Sequence, residues 1–174
     1  MGADVSGATL GVVGMGRIGE EVARRAHAAF GMSVLYTNTS PRPDAERDLN
    51  ARRVPLAELL AGADYVTLHA PLTPQTRHLI DAAALAAMRP HAYLINTARG
   101  PLIDEEALAR ALADGVIAGA ALDVFEYEPR VHPGLLAQRH RVVLSAHAAS
   151  ATTRTRERMS MLAVEGMLSA LSEA

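Results

Sequence analysis

Between Thr9 and Gly19 an apolar run closes on Gly14, Gly16 and Gly19, and residues 20–26 then carry the composition of a helix. No other stretch limits the fold as much. A strand, a glycine turn and a helix in that order make a seat for a pyrophosphate. Gly14 permits the tight turn, Gly16 lets a phosphate reach the backbone, and Gly19 lets the helix lie close on the strand. The free N–H groups and positive dipole end of the helix then face the anion. Three glycines alone also suit an ordinary turn; the strand before them and the helix after favour nucleotide binding.

The same alternation continues along the chain. Short β-rich runs at residues 31–36, 64–69, 92–96, 117–122 and 141–145 follow the first strand. Helices are expected at 55–60, opened by Pro55, at 81–88 behind Asp81, at 104–112, and from about Thr152 to Leu171. Met159, Leu162, Ala163, Gly166, Met167 and Ala170 share one face of the last helix, a stripe expected to serve packing rather than a cofactor. The pattern predicts an α/β fold, a doubly wound parallel (Rossmann) sheet of about six strands with helices on both faces. At 174 residues the chain has room for one domain, so residues 1–174 are expected to form a dinucleotide-binding domain.

Composition removes several classes of function. Hydrophobic residues at 49% and charged residues at 21% fit a globular protein, and a net charge of -2 does not suit a nucleic-acid surface. No apolar run is long enough to span a bilayer, so no membrane partner is expected. With 0 cysteines, disulfides, thiolate catalysis and cysteine-ligated metals are excluded, and a cytoplasmic setting is the default. The histidines show no metal-binding spacing, so no metal is expected. The start Met1-Gly2-Ala3-Asp4-Val5-Ser6 fits a loose myristoylation pattern, read here as chance because a strand begins a few residues later.

Ligands of such sheets lie beyond the carboxyl ends of the strands, so the loops opening at Gly14, Thr37, His69, Thr97, Asp123 and Ala146 matter most. After the second strand an acidic residue would accept from an adenosine 2′-hydroxyl and repel a 2′-phosphate. Here no carboxylate comes before Asp44; Thr37, Asn38, Thr39, Ser40 and Arg42 stand in its place. Arg42 suits a 2′-phosphate, which favours NADP over NAD, although a solvated arginine on a polar loop is the plainer alternative.

Arg99, Glu128 and His147 follow the fourth, fifth and sixth of these strands. A guanidinium can hold a carboxylate through two hydrogen bonds and polarise a neighbouring carbonyl. An imidazole can pass a proton to that carbonyl oxygen, and a carboxylate beside it favours its charged form and fixes its orientation. With a nicotinamide in the same crevice, these groups fit hydride transfer to a 2-oxo acid. Taken singly, Arg99 also fits a helix cap, Glu128 a solvated acid and His147 a satisfied buried histidine; their shared sheet edge favours chemistry.

The segments Gly14 to Gly19, Asn96 to Gly100, Leu122 to Phe125 with Glu128-Pro129, the region of His147, and His69 to Pro74 with Thr76-Arg77-His78 resemble the D-isomer-specific 2-hydroxyacid dehydrogenases in order and spacing. Pro41-Arg42-Pro43 is similar to an element of the glyoxylate/hydroxypyruvate reductases within that family. The resemblance covers essentially the whole chain. It implies that Arg99 binds the substrate carboxylate, that Glu128 pairs with His147, and that His147 is the general acid in reduction. It places Arg17 and Ile18 on the pyrophosphate and Thr39 to Arg42 on the adenosine phosphate. His69 and Pro71 would line the adenine side, while Thr97, Ala98 and Asp123 would orient the nicotinamide. Asn38, Ala70, Thr76 and Ala149, with Arg99 and His147, complete the implied cofactor contacts.

Three positions depart from the family pattern. Ala146 stands where proline commonly precedes the histidine, Tyr127 where proline is frequent, and Ala149 where glycine is common. The family's second, substrate-covering domain is built from segments on both sides of the nucleotide domain. The sequence starts at the strand leading into Gly14 and stops after the last helix, so that domain is expected to be absent and the chain to be the cofactor half of a truncated or split reductase. The partners implied are a small 2-oxo or 2-hydroxy acid, a separate substrate domain and a second copy in a homodimer. Two other readings stay open: a non-catalytic dinucleotide-binding or corepressor-like interaction module, and an unrelated Rossmann protein such as a methyltransferase.

Overall fold

The computed structural model describes residues 3–172. Met1 and Gly2, which carry the acylation-like pattern, lie outside the described residues. Among the described residues, seven parallel strands form one sheet: β1 (Thr9–Val13), β2 (Ser33–Thr37), β3 (Arg52–Arg53), β4 (Tyr65–Leu68), β5 (Tyr93–Asn96), β6 (Gly119–Leu122) and β7 (Val142–Leu144). Their order is β3-β2-β1-β4-β5-β6-β7. The strand beyond the expected six is β3, whose Arg52 and Arg53 pair with Leu35 and Tyr36 at the sheet edge. Both arginines are exposed, so neither alternation nor an apolar run announces the strand.

The helices are α1 (Arg17–Phe30), α2 (Pro43–Leu49), α3 (Leu56–Gly62), α4 (Ala82–Ala86), α5 (Glu105–Ala113), α6 (Pro133–Ala137) and α7 (Thr153–Ser172), with a 3-10 turn at Gly100–Leu102. The short helices α2 and α6 have no counterpart among the helices expected from the sequence. In α2 only Ala45 and Leu49 are buried, one turn apart, and the rest is polar. Local chemistry sets the ends of the others. Asp81 accepts from Ala84 N at 2.8 Å and Asp104 from Ala107 N at 2.9 Å, capping α4 and α5. Gly31, at φ 64°, closes α1 by donating to the His27 carbonyl.

Alternation along the strands divides the core. Leu10, Val12, Val34 and Tyr36 pack with Ala23 of α1 and with Ala45 and Leu49 of α2. Val13, Leu35, Val66, Leu68, Leu94 and Leu122 face the other way, onto Leu59 and Leu60 of α3, Leu85 of α4 and Leu108 of α5. Helices thus lie on both faces. β1 pairs with β2 on one side and β4 on the other, so the winding reverses there. This reversal opens a crevice between the loops that leave β1 and β4.

The last helix departs from expectation. Every described residue of α7 is exposed, including Met159 and Met167 of the proposed packing stripe. Apolar side chains also occur off that stripe, at Met161, Val164, Leu168 and Leu171. The helix therefore presents no single apolar face matched to the sheet, and it buries nothing against it.

Candidate active site

At the crevice the three glycines answer to different demands. Gly14 sits at φ 94°, and a Cβ there would lie 2.6 Å from Ala70 N and 2.7 Å from the His69 carbonyl carbon. A side chain on Gly19 would collide with the Gly14 carbonyl oxygen and crowd Val12, so α1 rests directly on β1. A Cβ on Gly16 would meet nothing within 4 Å. Glycine at 16 is therefore not demanded by packing, and its missing side chain leaves open the space in front of α1. Gly16 caps α1 without a side-chain hydrogen bond, so the first amides of the helix are not covered by a capping side chain. A cavity of about 640 Å³ opens there, lined by Gly16, Arg17, Ile18, Val22, His69 and the paired Glu21 and Arg25. Ile18 is 69% exposed, and Arg17 makes no ion pair among the described residues. Open space, free amides and an adjacent cation fit a dinucleotide pyrophosphate.

The loop after β2 is tied down from an unexpected quarter. Arg53 on β3 donates from Nε and Nη2 to the Asn38 carbonyl at 3.2 and 2.9 Å, and from Nη2 to the Thr39 carbonyl at 3.0 Å. Asn38 Nδ2 donates to the Ser40 carbonyl at 3.1 Å. Arg42 N donates to the Tyr36 hydroxyl at 2.8 Å, and that hydroxyl donates to Glu46 Oε1 at 2.5 Å. Arg42 is thus fixed by its backbone, while its exposed side chain joins no ion pair among the described residues. A cavity of about 320 Å³ at the start of this loop is lined by Thr37, Asn38, Arg53, Val54 and Pro55.

After β4, His69 Nε2 lies 3.0 Å from Thr67 Oγ1, and burial pushes the imidazole pKa down. Burial thus favours the neutral form of His69 in the wall of the crevice. Ala70 backs Gly14. Pro71 and Thr76 are joined within their own loop, the Thr76 hydroxyl donating to the Pro71 carbonyl at 2.7 Å.

Asn96, wholly buried at the end of β5, shapes the next loop: Nδ2 donates to the Arg99 carbonyl at 2.9 Å, and Oδ1 accepts from Ala98 N at 3.0 Å. Thr97 and Arg99 are thereby turned outward. Arg99 Nη1 donates to the Ala98 carbonyl at 2.6 Å, and the guanidinium is otherwise exposed. A Cβ on Gly100 would collide with the carbonyl group of Phe125 and the amide of Glu126. The loop bearing Arg99 therefore lies in direct contact with the segment bearing Glu128.

Asp123, at the end of β6, organises the loop after β7. Its Oδ1 accepts from Ser145 Oγ at 2.5 Å and Ala148 N at 2.8 Å, and its Oδ2 from Ala149 N at 2.9 Å. Its own carbonyl accepts from His147 N at 2.8 Å. Burial pushes the Asp123 carboxyl up, but the donors from Ser145, Ala148 and Ala149 outweigh it and hold the pKa below the ordinary value. His147, at φ 51°, donates from Nδ1 to Glu128 Oε2 at 2.9 Å. Glu128 Oε1 accepts from Phe125 N at 3.1 Å. The His147 bond, then the Phe125 amide, hold the Glu128 carboxyl below the usual glutamate range. The Nε2 of His147 has no hydrogen-bond partner among the described residues. A cavity of about 320 Å³ beside the pair is lined by Phe125, Glu128, Pro129, Leu144, Ser145 and His147.

The parallel pairing of β5, β6 and β7 thus places the loops of Arg99, Glu128 and His147 side by side on one edge. The sequence marks Asn96 and Gly100 only as the ends of a motif and singles out neither Arg53 nor Ser145. Asn96 and Ser145 each stand where a strand runs out, and their place there was the available signal. Arg53 had none, since its strand was invisible.

A parallel sheet wound both ways from a glycine turn, with open amides at the reversal, defines a dinucleotide-binding domain of the Rossmann type. Comparison with known proteins makes this specific. The sequence model for the D-isomer specific 2-hydroxyacid dehydrogenase NAD binding domain matches residues 1–149, and the chain belongs to that family. A glyoxylate reductase of Korarchaeum cryptofilum is 49% identical over 168 residues, covering 97% of this chain and 50% of its own. The crystal structure of a glyoxylate reductase from Paecilomyes thermophila superposes with a TM-score of 0.92 at 45% identity, over 98% of this chain and 51% of that one. A D-lactate dehydrogenase from Aquifex aeolicus, complexed with NAD and lactic acid, gives a TM-score of 0.91 at 32% identity, over 99% of this chain and 56% of its own. The chain spans about half the length of the curated relatives it matches.

Proposed function

We propose that this domain binds NADPH in preference to NADH and forms the cofactor half of a reductase for a small 2-oxo acid of the glyoxylate or hydroxypyruvate type. The observation that carries the reading is the Glu128–His147 pair, set at 2.9 Å on a loop that Asp123 fixes, beside the loop of Arg99. The nicotinamide, when bound, supplies the hydride. Gly14, Gly16, Arg17, Ile18 and Gly19 would receive the pyrophosphate at the start of α1. Asn38, Thr39, Ser40 and Arg42 would receive the 2′-phosphate, and His69, Ala70, Pro71 and Thr76 the adenine side. Thr97, Ala98, Asp123 and Ala149 would frame the nicotinamide. For Asp123 this is a limited role, because three of its acceptor positions already serve Ser145, Ala148 and Ala149.

Arg99 would bind the substrate carboxylate through the guanidinium edge left free by its bond to Ala98. Glu128 occupies Nδ1 of His147, which leaves Nε2 to deliver a proton to the carbonyl oxygen. The relatives' remaining half would cover the substrate and exclude water, whether supplied on the same polypeptide or a separate one. A cytoplasmic setting and a homodimer complete the reading, following the cysteine-free sequence and the family resemblance. The test compares NADPH and NADH binding, then measures glyoxylate and hydroxypyruvate reduction after the substrate half is added. His147→Ala should abolish reduction and keep cofactor affinity; reduction that survives His147→Ala refutes the assignment.

A further inference from the structure

Two loops of this domain carry a histidine in the left-handed region, His78 at φ 50° and His147 at φ 51°. A residue with a side chain adopts that conformation at a cost and keeps it only where its neighbours impose it. In both cases the imidazole is held by a glutamate of one short segment. Glu128 Oε2 accepts from His147 Nδ1 at 2.9 Å, and Glu126 Oε1 accepts from His78 Nε2 at 2.8 Å. The first pair is the acid–base pair described above. The second has no part in that chemistry, yet it is the more deeply set: the Glu126 side chain is 7% exposed.

Glu126 gathers contacts from three other parts of the chain. Its Oε1 also accepts from Arg77 Nη2 at 2.7 Å, so both ends of the Arg77-His78 dipeptide converge on one oxygen. Its amide donates to Oε1 of the buried Glu105, at the start of α5, at 2.6 Å. Gly100 lies against the peptide that joins it to Phe125. His78 is held from the other side by its own amide, which donates to the Pro101 carbonyl at 2.8 Å. The preceding residue, Phe125, supplies the amide that aims Glu128. A displacement of Glu126 would therefore move the donor on which the Glu128 carboxylate rests.

We infer that Glu126 is a positioning residue: with Arg77 and His78 it forms a strut that joins the loop after β4 to the segment aiming Glu128 at His147. The strut links a wall of the dinucleotide crevice to the proton-donating pair, so the pair is oriented by the fold before a substrate enters. An exposed ion pair would not do this, because solvent screens it and its side chains stay free. The Glu126 side chain is buried, and removing its charge weakens the bonds that fix Arg77 and His78. The functional meaning of the strut rests on the reading of His147 as the proton donor; its geometry does not.

The test uses the 174-residue chain itself. Glu126→Gln keeps the size and one acceptor and removes the charge. Carbon-13 NMR then follows the Glu128 carboxyl, assigned through Glu128→Gln, while fluorescence titration follows NADPH. The expected result is a Glu128 titration that moves up toward ordinary glutamate by about half a unit or more, with cofactor affinity changed less than about twofold. Glu126→Asp, which restores the charge, should recover part of the shift. Arg77 is half exposed, so Arg77→Met should fold regardless and move Glu128 in the same direction by less. If Glu126→Gln does not fold, Arg77→Met decides. A Glu128 titration identical to the parent in every folded variant overturns the inference. Loss of NADPH binding in the parent chain, with the Glu128 shift intact, would refute the proposed function and leave the strut standing.

Discussion

Gly16→Ala separates a glycine kept for a ligand from glycines kept for the fold. Gly16 sits at φ -91° and ψ -167°, which alanine adopts freely, and its Cβ would meet nothing within 4 Å. Alanine is a poorer helix cap than glycine, at about 1 kcal/mol or less, and it restricts the unfolded chain by about 0.4–1 kcal/mol. The two effects offset, so stability should hardly change. The methyl group nevertheless enters the space that a pyrophosphate would fill. Overpacking a close contact costs roughly 1–3 kcal/mol, which corresponds to dinucleotide binding roughly 5- to 150-fold weaker. Gly19→Ala should do the reverse in kind, since its Cβ collides with the Gly14 carbonyl inside the fold. A penalty of about 1–3 kcal/mol there lowers the melting temperature by roughly 2–4 °C for each kcal/mol. Circular-dichroism melts and NADPH fluorescence titrations on both variants and the parent give the comparison. Parental affinity in Gly16→Ala, or a larger melting loss there than in Gly19→Ala, would refute the reasoning.

Two further outcomes follow from the charged groups. Arg42→Ala should weaken NADPH by about tenfold, as loss of one charge-assisted contact requires, and leave NADH within about twofold in parallel titrations. Asp123 has a folded pKa below the ordinary aspartate value of 3.8, so its contribution to stability is complete above that value and is lost as pH falls through the lower folded one. Urea melts of the parent should therefore weaken below about pH 4 partly through this group. Asp123→Asn, which presents an amide to the Ala149 donor, should cost about 1–3 kcal/mol at neutral pH and make that part of the acid dependence vanish.

Most of the frame was legible because it depends on local rules. The run into Gly14 predicts a strand and turn wherever it occurs, and Asp81 and Asp104 cap their helices through bonds within a few residues. The order of the loops followed from alternation alone. What escaped was set at a distance. Arg53 holds Asn38 across 15 residues, from a strand too short to show a period. Glu126 reaches His78 across 48 residues, and nothing in its neighbours Phe125 and Tyr127 marks it as the buried member of two nearby glutamates. The sequence marks Asp123 only through its implied contact with the nicotinamide, and nothing local shows that its carboxylate also accepts from Ser145, Ala148 and Ala149, more than 20 residues away. For α7 the apolar spacing suggested a packed face, yet spacing reports only a helix's own circumference and not what lies opposite.

That last helix has a thermodynamic corollary. With every described residue of Thr153–Ser172 in contact with solvent, the hydrogen bonds of α7 are not protected by the burial that protects those of α5. Most helix stability in proteins comes from tertiary packing of an apolar face, which α7 does not make. Its amides should open in local events far cheaper than global unfolding and exchange with deuterium well ahead of the sheet. A chain ending before Thr153 should therefore melt where the 174-residue chain does.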